Sequence, residues 1–170
     1  MYRKIKYLIF LPAIFSGLFS GCMKQEHYPD TPQIEFLSYT NVFDTGRFAV
    51  KGILNISFQD GNGDIGFLSD GDTFPPFQPN GPYYYNYVIM YFEKQNGVYK
   101  QIDLNPPFSS RIPVLTPLDP GRAIKGTITN TMTLDPHPLF DTIQFQAFIY
   151  DRGLHKSNVI TTPEIILRKR

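Results

Sequence analysis

The sequence has one cysteine, Cys22, and no tryptophan among its 170 residues. A single cysteine excludes an intrachain disulfide and a metal site built from several cysteines, so the folded domain must be stabilised by its core. The longest apolar stretch, residues 8–19, falls short of the ~20 residues that a membrane-spanning helix needs. The only dense basic cluster is Arg168-Lys169-Arg170 at the C terminus. A solvated tail explains this cluster, so we expect no nucleic-acid partner.

The N-terminal segment has the layout of a secretory signal peptide. It begins with Arg3, Lys4 and Lys6 and no acidic residue, and the apolar residues 8–19 follow directly. A basic region followed by a short apolar region directs a chain to secretion and is then removed. We therefore expect residues 1–21 to be absent from the mature protein, which would have the size of one ordinary domain.

The run Ser20-Gly21-Cys22 resembles the lipobox of bacterial lipoproteins, in which small residues precede a cysteine. The resemblance implies cleavage before Cys22, a diacylglycerol thioether on its sulfur and acylation of the new amino terminus. Two or three acyl chains hold a protein stably on a membrane that it does not span. The alternative is an ordinary secreted protein with a cysteine near its cleavage site by chance. That alternative leaves a free, reactive thiol unexplained.

On this interpretation the chain has three parts. Residues 1–21 form a lipoprotein signal peptide, residues 22–32 a lipidated tether and residues 33–170 a single domain. The tether is polar and contains Pro29 and Pro32, a composition typical of an extended linker. We expect the protein in the bacterial cell envelope, anchored to a membrane, most simply the outer membrane, and facing the periplasm or the cell surface.

Composition and periodicity predict an all-β domain. The chain has 15 phenylalanines, 11 tyrosines, 15 prolines and 13 glycines, a mixture that favours strands and turns. Apolar and polar residues alternate within several segments, as in strands with one buried face. About seven strands without helical periodicity predict an antiparallel β-sandwich. The predicted strands cover residues 33–39, 48–58, 83–93, 98–102, 123–134, 142–150 and 158–167, with at most a short edge strand at 112–115.

An acidic, glycine-rich loop, residues 60–66, follows the second predicted strand. Asp60, Asn62 and Asp64 alternate with glycines, which allow the backbone to curl around an ion. Ca²⁺ prefers oxygen ligands of this kind, and Asp151 is a candidate distant ligand because it also follows a strand. The loop is not an EF-hand, since it lacks the glutamate at position twelve. The alternative is a plain turn in which Asp and Asn side chains cap their own backbone.

The same segment resembles a family of small Bacteroidetes-type lipoproteins. In that family a strand ending in a phenylalanine leads into an Asp-Gly-Asp/Asn-Gly-Asp-Ile-Gly loop, as Phe58 does here. A later Asp-Arg pair and a Ser-Asn pair precede the last strand, matched here by Asp151-Arg152 and Ser157-Asn158. The resemblance implies an immunoglobulin-like domain on the cell envelope and no known reaction. Asn62 stands where the family often has aspartate, which implies a lower charge at the loop.

Aromatic residues cluster in and after the long segment that separates the second and third strands. Phe74, Phe77, Tyr83 and Tyr85 are candidate ligand-binding residues, since exposed aromatic rings stack on sugars and peptides. Along a strand, however, successive side chains point to opposite faces, so some of these rings are expected in the core. Both possibilities stay open at this point.

Nothing in the sequence identifies a reaction, and we expect the protein not to be an enzyme. The histidines lack metal-ligand spacing, and the serines and aspartates fall in turns. We expect a binding or structural module with an envelope protein or a glycan as partner, and calcium is the only cofactor suggested. The alternative function is a carbohydrate-binding accessory lipoprotein of a glycan uptake system. A hydrolase with paired carboxylates is a third, weaker hypothesis.

Overall fold

The structure is a computed structural model and describes residues 28–68, 71–115 and 121–169. Cys22 and the predicted signal peptide lie outside these residues. The described residues are all-β, without a helix, and none of them forms a helix long and apolar enough to cross a membrane. The strands are β1 Gln33–Phe43, β2 Ala49–Asp60, β3 Tyr87–Gln95, β4 Val98–Ile102, β5 Ile124–Thr133, β6 Thr142–Ile149, β7 Ile160–Thr161 and β8 Ile165–Ile166.

The strands form two antiparallel sheets. One sheet has three strands in the order β1-β2-β5, and the other has five, in the order β4-β3-β6-β7 with β8 also paired to β6. The expected antiparallel β-sandwich architecture is therefore confirmed in this respect. Several boundaries differ from expectation, and β1 extends to Phe43, four residues beyond its predicted end. The third strand begins only at Tyr87, and the last predicted strand is divided into β7 and β8 on either side of Pro163, which cannot donate a ladder hydrogen bond.

The core lies between the two sheets and follows from the alternation of apolar residues. Leu54 and Ile56 of β2 point inward, as do Phe145 and Ile149 of β6, and all four are fully buried. The rings of Phe145 and Tyr39, which belong to different sheets, have centroids 5.6 Å apart. Apolar and polar residues alternate most clearly in β2 and β6, and these strands supply the centre of the core. Such alternation indicates a strand with one buried face.

Residues 103–115, which follow β4, close one side of the sandwich and form no regular strand. Ser110 and Tyr87 exchange backbone hydrogen bonds of 3.0 and 2.9 Å. The Asn86 side chain is fully buried, accepting from the backbone N–H of Ile112 at 2.6 Å and donating to its carbonyl at 3.2 Å. Asn86 therefore satisfies the backbone N–H and C=O of Ile112, which lies outside the regular strands.

Candidate metal centre

Three carboxylates meet at one end of the sandwich. Asp60 ends β2, Asp64 lies in the loop that follows, and Asp151 comes directly after β6. Each offers a carboxylate oxygen, and these oxygens all lie within 4.8 Å of one another. Asp60 and Asp151 are 0% exposed, whereas Asp64 is partly exposed. The structure thus brings together three of the four residues that the sequence suggested as metal ligands.

The glycine-rich loop is shaped by its own side chains. The backbone N–H of Asp64 donates to Asp60 Oδ2 at 3.0 Å and to Asn62 Oδ1 at 3.4 Å. Gly63 has a positive φ of 68°, and a Cβ at this position would collide with the carbonyl oxygen of Arg122. The Asn62 side chain therefore caps the backbone of the loop, as the turn interpretation expects, and its role as a metal ligand stays a prediction.

A second turn holds Asp151 in place. Asp151 Oδ1 accepts from the backbone N–H of His155 at 2.8 Å, and its Oδ2 lies 2.8 Å from Nδ1 of the same histidine. The carbonyl of Asp64 accepts from the N–H of Arg152 at 3.2 Å, which ties the loop to this turn. Sequence reasoning missed His155. The only signal for it is its position four residues after an aspartate in a glycine-containing turn.

Two buried oxygens of this centre lack a hydrogen-bond partner. Asp60 Oδ1 and Asp64 Oδ1 are inaccessible to solvent and accept no hydrogen bond in the described part of the chain. The ion pairs found among the described residues do not include Asp60 or Asp64. Burying an unpartnered carboxylate oxygen is costly unless a cation or a proton compensates it. Both oxygens therefore need compensation, which a proton, a cation or water can supply.

The electrostatics of the centre lead to the same requirement. Burial, followed by the neighbouring carboxylate of Asp64, raises the pKa of Asp60 to about 7. Burial and then the charge of Asp151 raise the pKa of Asp64 above its ordinary value. The hydrogen bond and the charge of Asp151 raise the pKa of His155. The raised pKa values of Asp60 and Asp64 mean that a proton or a cation is favoured at these two carboxylates, because burial and like charges disfavour their ionised forms.

Ion-pair, hydrogen-bond and cation–π contacts of two arginines hold the residues that follow the acidic loop. Arg152 makes a two-pronged ion pair with Asp72, with Nη2 at 3.0 Å from Oδ1. The guanidinium of Arg111 lies 4.9 Å from the ring centroids of both Phe67 and Tyr84. Arg111 also donates to the carbonyls of Asp72 and Tyr84 at 3.0 and 2.7 Å. These contacts fix much of the long segment between β2 and β3, although its described residues form no helix or strand.

None of the four aromatic candidates lines a cavity found among the described residues. Phe77 packs on Phe67 with ring centroids 4.4 Å apart, and Tyr83 packs on Tyr150 at 5.2 Å. Tyr85 contacts Tyr84 at 4.9 Å. Only Phe74 is largely exposed, at 73%. A nearby cavity of about 220 Å³ contains none of the four in its lining, which consists of Phe67, Thr73, Pro79, Tyr84, Arg111 and Pro113.

Chemically, the centre offers hard oxygen ligands at the closed end of a β-sandwich. Carboxylates that are anchored at strand ends and held by backbone N–H groups are suited to binding a divalent cation. Comparison of the chain with known protein families, with curated proteins and with solved structures finds no match.

Proposed function

We propose that this chain is a lipid-anchored module of the bacterial cell envelope, with an immunoglobulin-like β-sandwich that binds calcium at one end. Its role is binding or structural and involves no reaction. One observation carries the calcium part of the proposal. Asp60, Asp64 and Asp151 converge with two buried oxygens that have no hydrogen-bond partner.

Calcium fits the chemistry of the three carboxylates better than other common metals do. All the candidate ligand atoms are oxygens, and Ca²⁺ takes six to eight oxygens at about 2.3–2.6 Å. Zinc and copper sites usually include histidine or cysteine. The nearest histidine, His155, already uses Nδ1 for Asp151. A divalent ion would balance most of the negative charge of three carboxylates, and carbonyl groups and water would complete its coordination.

The strand order supports the immunoglobulin-like type. In immunoglobulin domains the strands are arranged A-B-E-D in one sheet and C-F-G in the other, with C′ added beside C in some members. Here β1-β2-β5 corresponds to A-B-E, and β4-β3-β6-β7 corresponds to C′-C-F-G. Strand D would then be replaced by the irregular segment between β4 and β5.

The calcium proposal is tested by thermal unfolding of the chain in calcium and in chelator. At about 100 times the Kd, calcium adds ~2.7 kcal/mol to the free energy of unfolding, because it binds only the folded state. We expect this gain in the wild type and its loss in Asp64→Asn. Glu35→Gln is the matched control, because Glu35 is an exposed carboxylate on β1. Equal melting temperatures of the wild type in calcium and in chelator would contradict the proposal.

Carbohydrate binding is a second candidate function, favoured by one observation. Phe74 is 73% exposed in the segment before β3, and an exposed aromatic ring offers a face on which a sugar can stack. We expect Phe74→Ala to abolish binding to a glycan array on this hypothesis. Leu139→Ala is the control, since Leu139 is 87% exposed and is not aromatic. A wild-type chain that binds no glycan on the array would remove this candidate.

A further inference from the structure

β5 is an open edge of the three-stranded sheet. It pairs with β2 over ten residues, from Ile124 opposite Asp60 to Thr133 opposite Lys51, without a shift in register. In the described part of the chain, residues 126–133 make no backbone hydrogen bond outside this pairing. The N–H and C=O groups on the far side of these residues are therefore available to another strand.

The described residues between β4 and β5 do not pair with this edge. The Asn130 side chain points inward and donates to the carbonyl of Phe108 at 3.2 Å and to Ser110 Oγ at 3.3 Å. The segment after β4 thus closes the gap between the sheets and pairs with β3 through Ser110, on the opposite sheet. β5 therefore has β2 as its single strand neighbour among the described residues.

The other described edges are all protected. β1 has two register shifts, and the Asn158 side chain occupies both the N–H and the C=O of Ile34 at 2.8 Å. β4 has only five residues and carries Lys100, while β7 and β8 have two residues each and flank Pro163. Bulges, short lengths, lysines and prolines are the devices that prevent edge-to-edge association. Residues 126–133 of β5 contain no charged residue and no proline.

The side chains of β5 are complementary to a second copy of the same strand. Its outward row consists of one lysine followed by four threonines, all exposed: Lys125, Thr127, Thr129, Thr131 and Thr133. In an antiparallel pair with a two-fold axis beside Thr129, Thr127 faces Thr131 and Lys125 faces Thr133. Threonine pairs across strands are favourable, and no like charges are brought face to face.

We propose that β5 is a dimer interface at which two copies of this chain pair antiparallel and form one six-stranded sheet. The contact is isologous, since the same residues of both copies meet across the axis. One strand pair is a small interface, so association depends on concentration. This inference is independent of the calcium site, because β5 supplies none of the three carboxylates.

The test combines disulfide cross-linking with a charge substitution in the full chain. Thr129→Cys places two sulfurs opposite each other at the axis, and we expect a cross-linked dimer on mild oxidation. Thr40→Cys, on the exposed face of β1, is the control and is expected to give none beyond the wild-type level. Cys22 is common to the wild type and both variants, so any cross-link through it appears equally in all three.

The second arm uses Thr129→Lys, which would bring two ammonium groups together at the axis. The molar mass is measured by light scattering at increasing protein concentration. We expect the mass of the wild type and of Thr40→Lys to rise toward that of a dimer. We expect Thr129→Lys to keep the mass of a monomer. Unchanged melting temperatures show that the variants are folded. The proposal is overturned by a wild type that is monomeric at every concentration, by a dimer that persists in Thr129→Lys, or by equal cross-linking at positions 129 and 40.

Discussion

Asp60 and Asp151 are fully buried and bring carboxylate oxygens within 4.8 Å of each other, although one follows a strand of the three-stranded sheet and the other a strand of the five-stranded sheet. Neither residue has an oppositely charged arginine or lysine among the described ion pairs. The centre therefore joins the two sheets at one end through carboxylates that repel one another when all are ionised.

The first prediction concerns pH and the metal-free protein. The pKa of Asp60 is raised from 3.8 to about 7 in the folded state, so the folded chain holds a proton that the unfolded chain releases. This contribution to stability is fully present below about pH 3.8 and is lost as the pH rises through about 7. We expect chelator-treated protein to lose stability over this range, measured by urea unfolding. The Asp60→Asn variant should lose less stability over the same pH range. An identical dependence of stability on pH in the variant and the wild type would contradict the prediction.

The second prediction concerns the loop glycine. Gly63→Ala should disrupt the acidic loop, because Gly63 has a φ of 68° and an added Cβ would collide with the carbonyl of Arg122. Gly97→Ala is the matched control, since Gly97 also has a positive φ, of 82°, but has open space around it. Backbone strain alone costs about 1–3 kcal/mol.

The measurement for the two glycine variants is calcium affinity by titration calorimetry together with the free energy of unfolding. We expect both variants to be destabilised by strain, Gly63→Ala more than Gly97→Ala, and only Gly63→Ala to lose calcium binding. Wild-type affinity in Gly63→Ala would show that the loop geometry is irrelevant to the ion.

The third prediction concerns the ion pair that supports the loop. Asp72→Asn should lower the free energy of unfolding by about 1–3 kcal/mol, because Asp72 is 8% exposed and Arg152 would lose a charged partner. Asp141→Asn is the control. Asp141 pairs with Arg168 at 2.9 Å in a more exposed setting, where such pairs contribute about 0–1 kcal/mol. An equal loss in both variants, measured by chemical denaturation, would count against a supporting role for Asp72.

The fourth prediction concerns the anchor. Cys22→Ser should move the protein from the detergent phase to the aqueous phase in a partitioning experiment on cell envelopes, since no thioether can form on serine. Mass spectrometry of the wild-type N-terminal peptide should show acyl groups on Cys22. An unmodified Cys22 in wild-type protein that partitions into buffer would contradict lipid anchoring.

The sequence predicted those features that depend on local pattern. The alternation in β2 and β6 located the core, since period two reports one buried face. Asp151 was identified as a distant partner of the acidic loop because both follow strands. The hydrogen bonds of His155 to Asp151 and the position of Arg111 between two rings could not be predicted. The contacts of Arg111 join residues far apart in the chain, and those of His155 depend on the geometry of a turn. Neither kind of contact produces a periodic pattern in the sequence.

The start of the strand expected at residues 83–93 could not be predicted from the sequence either. Its tyrosines have a high strand propensity, yet the strand begins only at Tyr87. The buried Asn86 side chain bonds to the backbone of Ile112, and Tyr84 is held by Arg111. Tertiary contacts of this kind override local propensity.

A crystal structure of the chain grown in calcium at neutral pH tests the metal centre itself. We expect a single strong density peak about 2.3–2.6 Å from one oxygen each of Asp60, Asp64 and Asp151, with Asp60 Oδ1 and Asp64 Oδ1 among its ligands. A space between the three carboxylates that holds no ion, with their oxygens bonded to one another through protons or to water, would contradict the calcium-binding role.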